Sequence, residues 1–316
     1  MFQSKMKNPT YTIRNYHSKD FEKLVQLVTE VQELGRPSCS ISLLDLFESL
    51  SQSDPSSKDN LFIAERSGEI AGYAEVKPEL NIGRAVLRWL VHPRHHSRGQ
   101  LTVRLVDRAV DRTRELGITT LHANISQDSF TAKRFLTRMG FTFVRRFLEL
   151  RLDLSGMVLP EINKITPQCR SLQPNEEGRL TQLQNRSFAG TWGFNPNTIE
   201  EIISRISLPS SSPDDIFLIF DSDKPVGYCW TRIEFWKKKA PGEGNGRIYM
   251  LGVDPDYRGR GLGRQLLLVG LSYLKSKSPR VAVLTVDSEN KAARVLYKSV
   301  GFELWKSSLW YEKRLD

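Results

Sequence analysis

Leu251-Gly252-Val253-Asp254-Pro255-Asp256-Tyr257-Arg258-Gly259-Arg260-Gly261-Leu262-Gly263-Arg264 runs from a short apolar strand, through an Asp-Pro break and three glycines spaced two apart, into an apolar-periodic segment, Gln265 to Ser276. Strand, glycine turn and helix start in that order build an anion cradle. Glycines let the backbone approach a guest, several N–H groups converge, and the positive end of the helix dipole faces the guest. Arg258, Arg260 and Arg264 add forked donors suited to phosphate. The expected guest is a pyrophosphate. The spacing G-x-G-x-G, with no Lys-Ser/Thr after it, fits neither the dinucleotide fingerprint nor the P-loop.

Working outward, the chain holds the same landmarks twice. Gly72-Tyr73 recurs as Gly227-Tyr228, Val91-His92-Pro93 as Val253-Asp254-Pro255, and Met139-Gly140-Phe141 as Val300-Gly301-Phe302, at offsets of 155, 162 and 161 residues. Three landmarks in one order at nearly one offset indicate duplication. The change in offset places an insertion after Tyr228, in the loop Trp236 to Gly246. The expected halves are 1–155 and 169–316, joined by a linker at 156–168 carrying Gly156, Pro160 and Pro167.

In the first half a strand is expected over Thr10–Asn15, a helix from Ser18, and a second helical stretch over Leu43–Leu50. A hairpin follows at 61–64 and 70–76, then a strand 85–91, a helix 101–116, a strand 121–125, a helix 129–139 and closing strand material over 141–152. Each half reads as an α/β unit with a mixed, mostly antiparallel sheet flanked by helices.

Composition narrows the function. Of 316 residues, 39% are apolar and 26% charged, which suits a globular protein of two domains. No apolar run of 18 residues occurs and Met1 to Thr10 is polar, so neither membrane span nor secretion is expected. Cys39, Cys169 and Cys229 form no C-x-x-C, and His92, His95 and His96 cluster without an acidic or Cys partner. A reducing, cytoplasmic location without a metal site is therefore expected. The net charge of +10 favours anionic partners, yet no nucleic-acid motif accompanies it, and Lys237-Lys238-Lys239 reads as a solvated loop.

The Arg-Gly-Arg-Gly-Leu-Gly turn, with Asn290 and Tyr297 seven residues apart and Gly301-Phe302 after them, resembles the GNAT acetyltransferase superfamily. The tandem arrangement and the phrase Tyr249-Met250-Leu251-Gly252-Val253-Asp254-Pro255 are most similar to its mycothiol synthase group. The resemblance spans nearly the whole chain as two GNAT-like copies. It implies acetyl-CoA as cosubstrate, with the pyrophosphate on Arg258, Gly259, Arg260, Gly261, Leu262, Gly263 and Arg264, and with Asn290 also at the CoA site. Backbone groups of Leu251, Gly252 and Val253 would hold the pantetheine arm, the Val253 N–H pointing at the thioester oxygen. Tyr297 would protonate the departing thiolate.

The resemblance places a Glu base where this chain has Arg247, which is no base at neutral pH. Glu234, in phase with Tyr228 and Trp230 on the preceding strand, is the candidate substitute, with Glu243 weaker. An arginine there favours an acceptor bearing carboxylate or phosphate, and Trp192, Phe194 and Trp230 are candidates for its pocket. In the first copy His96, Ser97 and Leu101 replace Arg258, Gly259 and Gly263, while Ser129 and Leu136 replace Asn290 and Tyr297. That copy reads as catalytically degenerate. The expected activity is acetyl transfer to a small-molecule amine by the second half. The alternatives are acetylation of a peptide or protein α-amine and a CoA-binding sensor without catalysis.

Overall fold

The computed structural model describes residues 10–34, 46, 50, 55–95, 99–166, 168–208, 211–234 and 244–315, with Glu234 described through its backbone alone. The expected helix Leu43–Leu50 is represented only at its two residues 46 and 50. Lys237 to Lys239 and Glu243 lie outside the described residues.

The first half supplies β1 (Thr12–Asn15), α1 (Phe21–Glu33), β2 (Leu61–Arg66), β3 (Glu69–Glu79), β4 (Arg84–Val91), α2 (Gln100–Glu115), β5 (Thr120–Ser126), α3 (Phe130–Arg138) and β6 (Thr142–Asp153). The second repeats the order with β7 (Cys169–Ser171), α4 (Glu177–Phe188), α5 (Ile199–Ile206), β8 (Ile216–Asp221), β9 (Lys224–Glu234), β10 (Asn245–Val253), α6 (Leu262–Ser276), β11 (Val281–Asp287), α7 (Lys291–Val300) and β12 (Glu303–Arg314). The two compact units do not coincide with the sequence halves: one is 1–145 with 308–316, the other 146–307. The reason is an exchange of closing strands. Residues Phe147–Asp153 of β6 pair with β11, and Ser308–Arg314 of β12 pair with β5.

Within the first unit the strand order is β1-β2-β3-β4-β5-β12, and within the second β7-β8-β9-β10-β11-β6. All these pairings are antiparallel except β4 with β5 and β10 with β11, which require a helical crossover. α2 and α6 supply it.

The duplication extends to side-chain chemistry. Arg14 on β1 grips Asp20 through two nitrogens at 2.7 and 2.8 Å, and Asp20 also accepts the His17 N–H at 2.8 Å. In the second unit Arg170 on β7 grips Glu176 at 2.7 and 2.7 Å, and Glu176 accepts the Gln173 N–H at 3.0 Å. Each carboxylate is buried at the entry to the unit's first helix, where a negative group is favoured.

The offset change also resolves. Four residues part β3 from β4, but ten part β9 from β10. A bulge at Tyr249, where the β9–β10 register shifts between Ile248 and Met250, adds one more. Together these are the seven extra residues of the second copy.

The second unit buries side chains on both sheet faces. On one, Tyr228 and Trp230 pack under α4 and α5 with Leu180, Leu183 and Ile202. On the other, Cys229, Ile248, Ala282 and Leu284 pack under α6 and α7 with Leu266, Leu267 and Tyr297.

Candidate active site

β10 and β11 pair only at Gly246–Ala282 and Arg247–Val283, whereas β10 stays with β9 as far as Val253 and β11 stays with β6 as far as Asp287. The two parallel strands therefore open into a V beyond Arg247. Asp254 donates its N–H to Val226 O at 2.9 Å. By the alternation of an antiparallel ladder, Gly252 then exchanges bonds with Tyr228, and Leu251 and Val253 turn their N–H and C=O groups away from β9, into the V. Of the three expected backbone contacts, two thus line the opening. Gly252 is a glycine for packing: a Cβ there would lie 2.5 Å from Tyr228 Cε1 and 2.9 Å from Ser187 Cβ.

The bulge sets this phase. It points Tyr249 and Met250 consecutively toward the α4–α5 side, which returns Leu251 and Val253 to the face under α6 and α7. No register shift interrupts the β3–β4 ladder of the first unit.

Past Val253, Asp254 caps a single 3-10 turn, Pro255–Tyr257, and the chain reaches α6 through Gly259 and Gly261 at φ 78° and 80°. A side chain at either glycine would meet no neighbour, so the left-handed backbone alone demands glycine. Among the described residues, the N–H groups of Gly259, Arg260, Gly261, Leu262 and Gly263 have no protein acceptor. Five such amides at the positive end of a 15-residue helix have the chemistry that suits an anion.

The arginines divide. Arg258 donates to Ser187 O at 2.7 Å and Val253 O at 3.3 Å, so much of its fork braces α4 against β10. Arg260 lies over the Tyr257 ring and Arg264 donates to Ser299 Oγ on α7, each keeping further N–H groups for a guest. Beneath the turn, buried Asp254 accepts from Arg186 at 2.9 and 3.0 Å, which holds its carboxyl at about 2, well below the usual range. Sequence reading took Asp254 for a turn breaker and missed this anchor; its partner lies 68 residues away.

Asn290 is the N-cap of α7, its Oδ1 accepting the Ala293 N–H at 3.1 Å, and Ser129 caps α3 in the same way at 3.3 Å. Tyr297 is buried, edge-on to Phe302 with ring centres 6.0 Å apart. Burial first, and the neighbouring Cys229 second, hold its phenol above the ordinary value, so it stays protonated at neutral pH. Among the described residues its hydroxyl has no hydrogen-bond partner. Unlike the sealed Tyr228 hydroxyl, it reaches accessible space, where an atom of a guest can meet it.

Arg247 reaches Thr285 Oγ1 at 3.4 Å and lies 3.7 Å from Glu149 Oε1 on β6. The pair balances charge, so a preference for an anionic acceptor does not follow from Arg247. The Glu234 backbone pairs with Asn245, at the end of β10 remote from the glycine turn. Trp230 is fully buried in the core, and Phe194 stacks on Phe188 with centres 5.6 Å apart. Trp192 instead lies against Phe147 of β6, ring centres 6.0 Å apart.

In the first unit Gly99 keeps the left-handed N-cap of α2 at φ 71°, matching Gly261, while Leu101 and Leu136 are buried in the core. Among the described residues no cluster suits a metal, and no helix is long and apolar enough to cross a membrane.

The profile of the "Acetyltransferase (GNAT) family" matches residues 21–141 and again 179–302. A mycothiol acetyltransferase of Thermobispora bispora is 32% identical over 78% of this chain and 80% of its own length. One from Amycolatopsis mediterranei is 29% identical over 77% and 81%. Among solved structures, a GCN5-related N-acetyltransferase from Sphaerobacter thermophilus superposes with a TM-score of 0.68 at 22% identity, covering 96% and 95% of the two chains. A tandem GNAT protein from the clavulanic acid biosynthesis pathway gives 0.69 at 17% identity, covering 96% and 98%.

Proposed function

Because this chain belongs to the acetyltransferase (GNAT) family, matched in two copies, and is therefore a transferase, we propose that its second unit transfers the acetyl group of acetyl-CoA to the amine of a small molecule. The observation that carries this is the presence in one unit of three features: five amides at the start of α6 without acceptors among the described residues, the open edge of β10 at Leu251 and Val253, and a Tyr297 hydroxyl without a partner among the same residues. The cosubstrate supplies an activated thioester. The residues supply the rest. Gly259 to Gly263 hold the diphosphate, helped by Arg260 and Arg264. Leu251 offers a backbone donor and acceptor to the pantetheine arm, and Val253, whose carbonyl already accepts from Arg258, offers its N–H to the oxygen that gains charge. Tyr297 donates a proton to sulfur.

The relatives' names bring the amine precursor of mycothiol as one candidate acceptor. Arg247, balanced by Glu149, adds no preference of its own, and the acceptor class stays at small-molecule amines. An acceptor-dependent CoA-release assay over amines and short peptides tests the reading. Release with amines and not with peptide α-amines is expected; release only with peptides replaces small-molecule acetylation with protein acetylation. Acetyl-CoA binding with no release in either series identifies a sensor.

A further inference from the structure

We propose that Glu149, a residue of the first sequence half, is the base that accepts the proton of the attacking amine in the second unit; this rests on the acetyl-transfer reading above. The exchange of closing strands carries β6 into the second unit, beside β11. Along β6, Leu148, Leu150 and Leu152 face α6 and α7, so Phe147, Glu149 and Arg151 face the other way, toward the α4 side. Arg247 and Thr285 share that face, alternating with Ile248 and with Leu284 and Val286. Tyr297 belongs to the opposite face. Acid and base thus stand on opposite faces of the sheet, which gives the attacking nitrogen and the departing sulfur of the tetrahedral intermediate separate proton partners.

Position along the strands agrees. Glu149 pairs with Thr285, two residues beyond Val283, where β10 and β11 last touch, so it stands in the opening of the V. Glu234 stands two residues before Arg247 in the opposite direction. The Glu149 side chain is 28% accessible and Arg247 20%, so the pair is fixed yet reachable. Three other carboxylates of the unit are engaged elsewhere: Asp254 by Arg186, Asp221 by Tyr257, and Asp287 by the Glu289 N–H. Arg247 cannot take a proton, but it orients the carboxylate that can.

The step balances without a further reagent. The C–N bond forms as the C–S bond breaks; the nitrogen's proton passes to Glu149, and the Tyr297 hydroxyl gives one to sulfur. Solvent then returns a proton to Tyr297 and removes one from Glu149.

The test measures acetyl-CoA affinity by calorimetry and kcat with the best amine for the full chain and for Glu149→Gln, Glu149→Asp and Glu149→Gln/Arg247→Glu. For Glu149→Gln the expectation is a kcat lowered roughly 100-fold, in the usual range for a lost general base, with acetyl-CoA affinity unchanged. Glu149→Asp should be intermediate. The double variant, which restores a carboxylate from the adjoining position on β10, should regain about tenfold of the loss, a small part of that range. Turnover within threefold of the parent in Glu149→Gln, loss of acetyl-CoA binding alongside turnover, or a double variant no faster than the single overturns Glu149 as base and leaves the transfer reading standing. A parent that binds acetyl-CoA and acetylates no amine overturns both.

Discussion

Asp254 and Tyr297 show two ways in which burial makes a side chain useful. The Asp254 carboxyl is depressed mainly by its bond to Arg186, so its contribution is fully present above about pH 4 and is lost as pH falls toward about 2. Asp254→Asn should lower stability at pH 7 by about 1–2 kcal/mol, the smaller figure reflecting water screening at half-exposed Arg186. Denaturant melts at pH 7 and near pH 2 check this, since the difference should vanish in acid. The first unit has His92 at the matching place, with Glu30 on α1 3.5 Å from its Nε2. A strand-to-helix contact is thus made at the same place by different side chains.

For Tyr297, the Phe variant should lose about 100-fold in kcat with acetyl-CoA affinity unchanged, as expected for a missing general acid. An unchanged kcat would remove the acid assignment. Tyr297 could be nominated from the sequence because the Asn-to-Tyr spacing is local. Glu149 could not be: nothing near it in the chain announces that its strand pairs with β11 of the second half.

Elements explain what spacing alone left open. The three glycines were read as one cradle, yet two of them serve conformation, at Gly259 and Gly261, while Gly263 sits in the first turn of α6, where a Cβ would lie 3.5 Å from Leu296. Gly261→Ala forces a Cβ into a left-handed position, at a cost of about 1–2 kcal/mol. The expected result is acetyl-CoA affinity lowered on the order of tenfold, measured by calorimetry, with the fold intact by circular dichroism. The bulge at Tyr249 had no signature in the sequence beyond one residue of offset. It decides which of Leu251, Gly252 and Val253 face the V. Periodicity found the strand, but only pairing could fix its phase.

At the scale of the molecule, the repeat was legible in the order of glycine landmarks, and the unit boundaries were not. A cut at the expected linker, 156–168, severs β6 from β11 and β12 from β5, leaving each half with an unpaired strand edge. Residues 1–155 and 169–316 expressed alone should therefore aggregate or stay partly unfolded. Co-expressed, they should recover the circular dichroism and melting transition of the intact chain. Two separately stable, monomeric halves would contradict the exchanged arrangement.

The asymmetry between the units is chemical. The second has Gly263 and the Tyr297 phenol where the first buries Leu101 and Leu136 in its core, although Gly99 keeps the left-handed turn of Gly261. A crystal structure of the full chain grown with acetyl-CoA tests this most directly. The diphosphate should lie on the amides of Gly259 to Gly263, with the thioester between β10 and β11 and its sulfur within hydrogen-bond reach of the Tyr297 hydroxyl. Acetyl-CoA seated only beside Gly99 in the first unit, or absent from both at saturating concentration, would contradict the account.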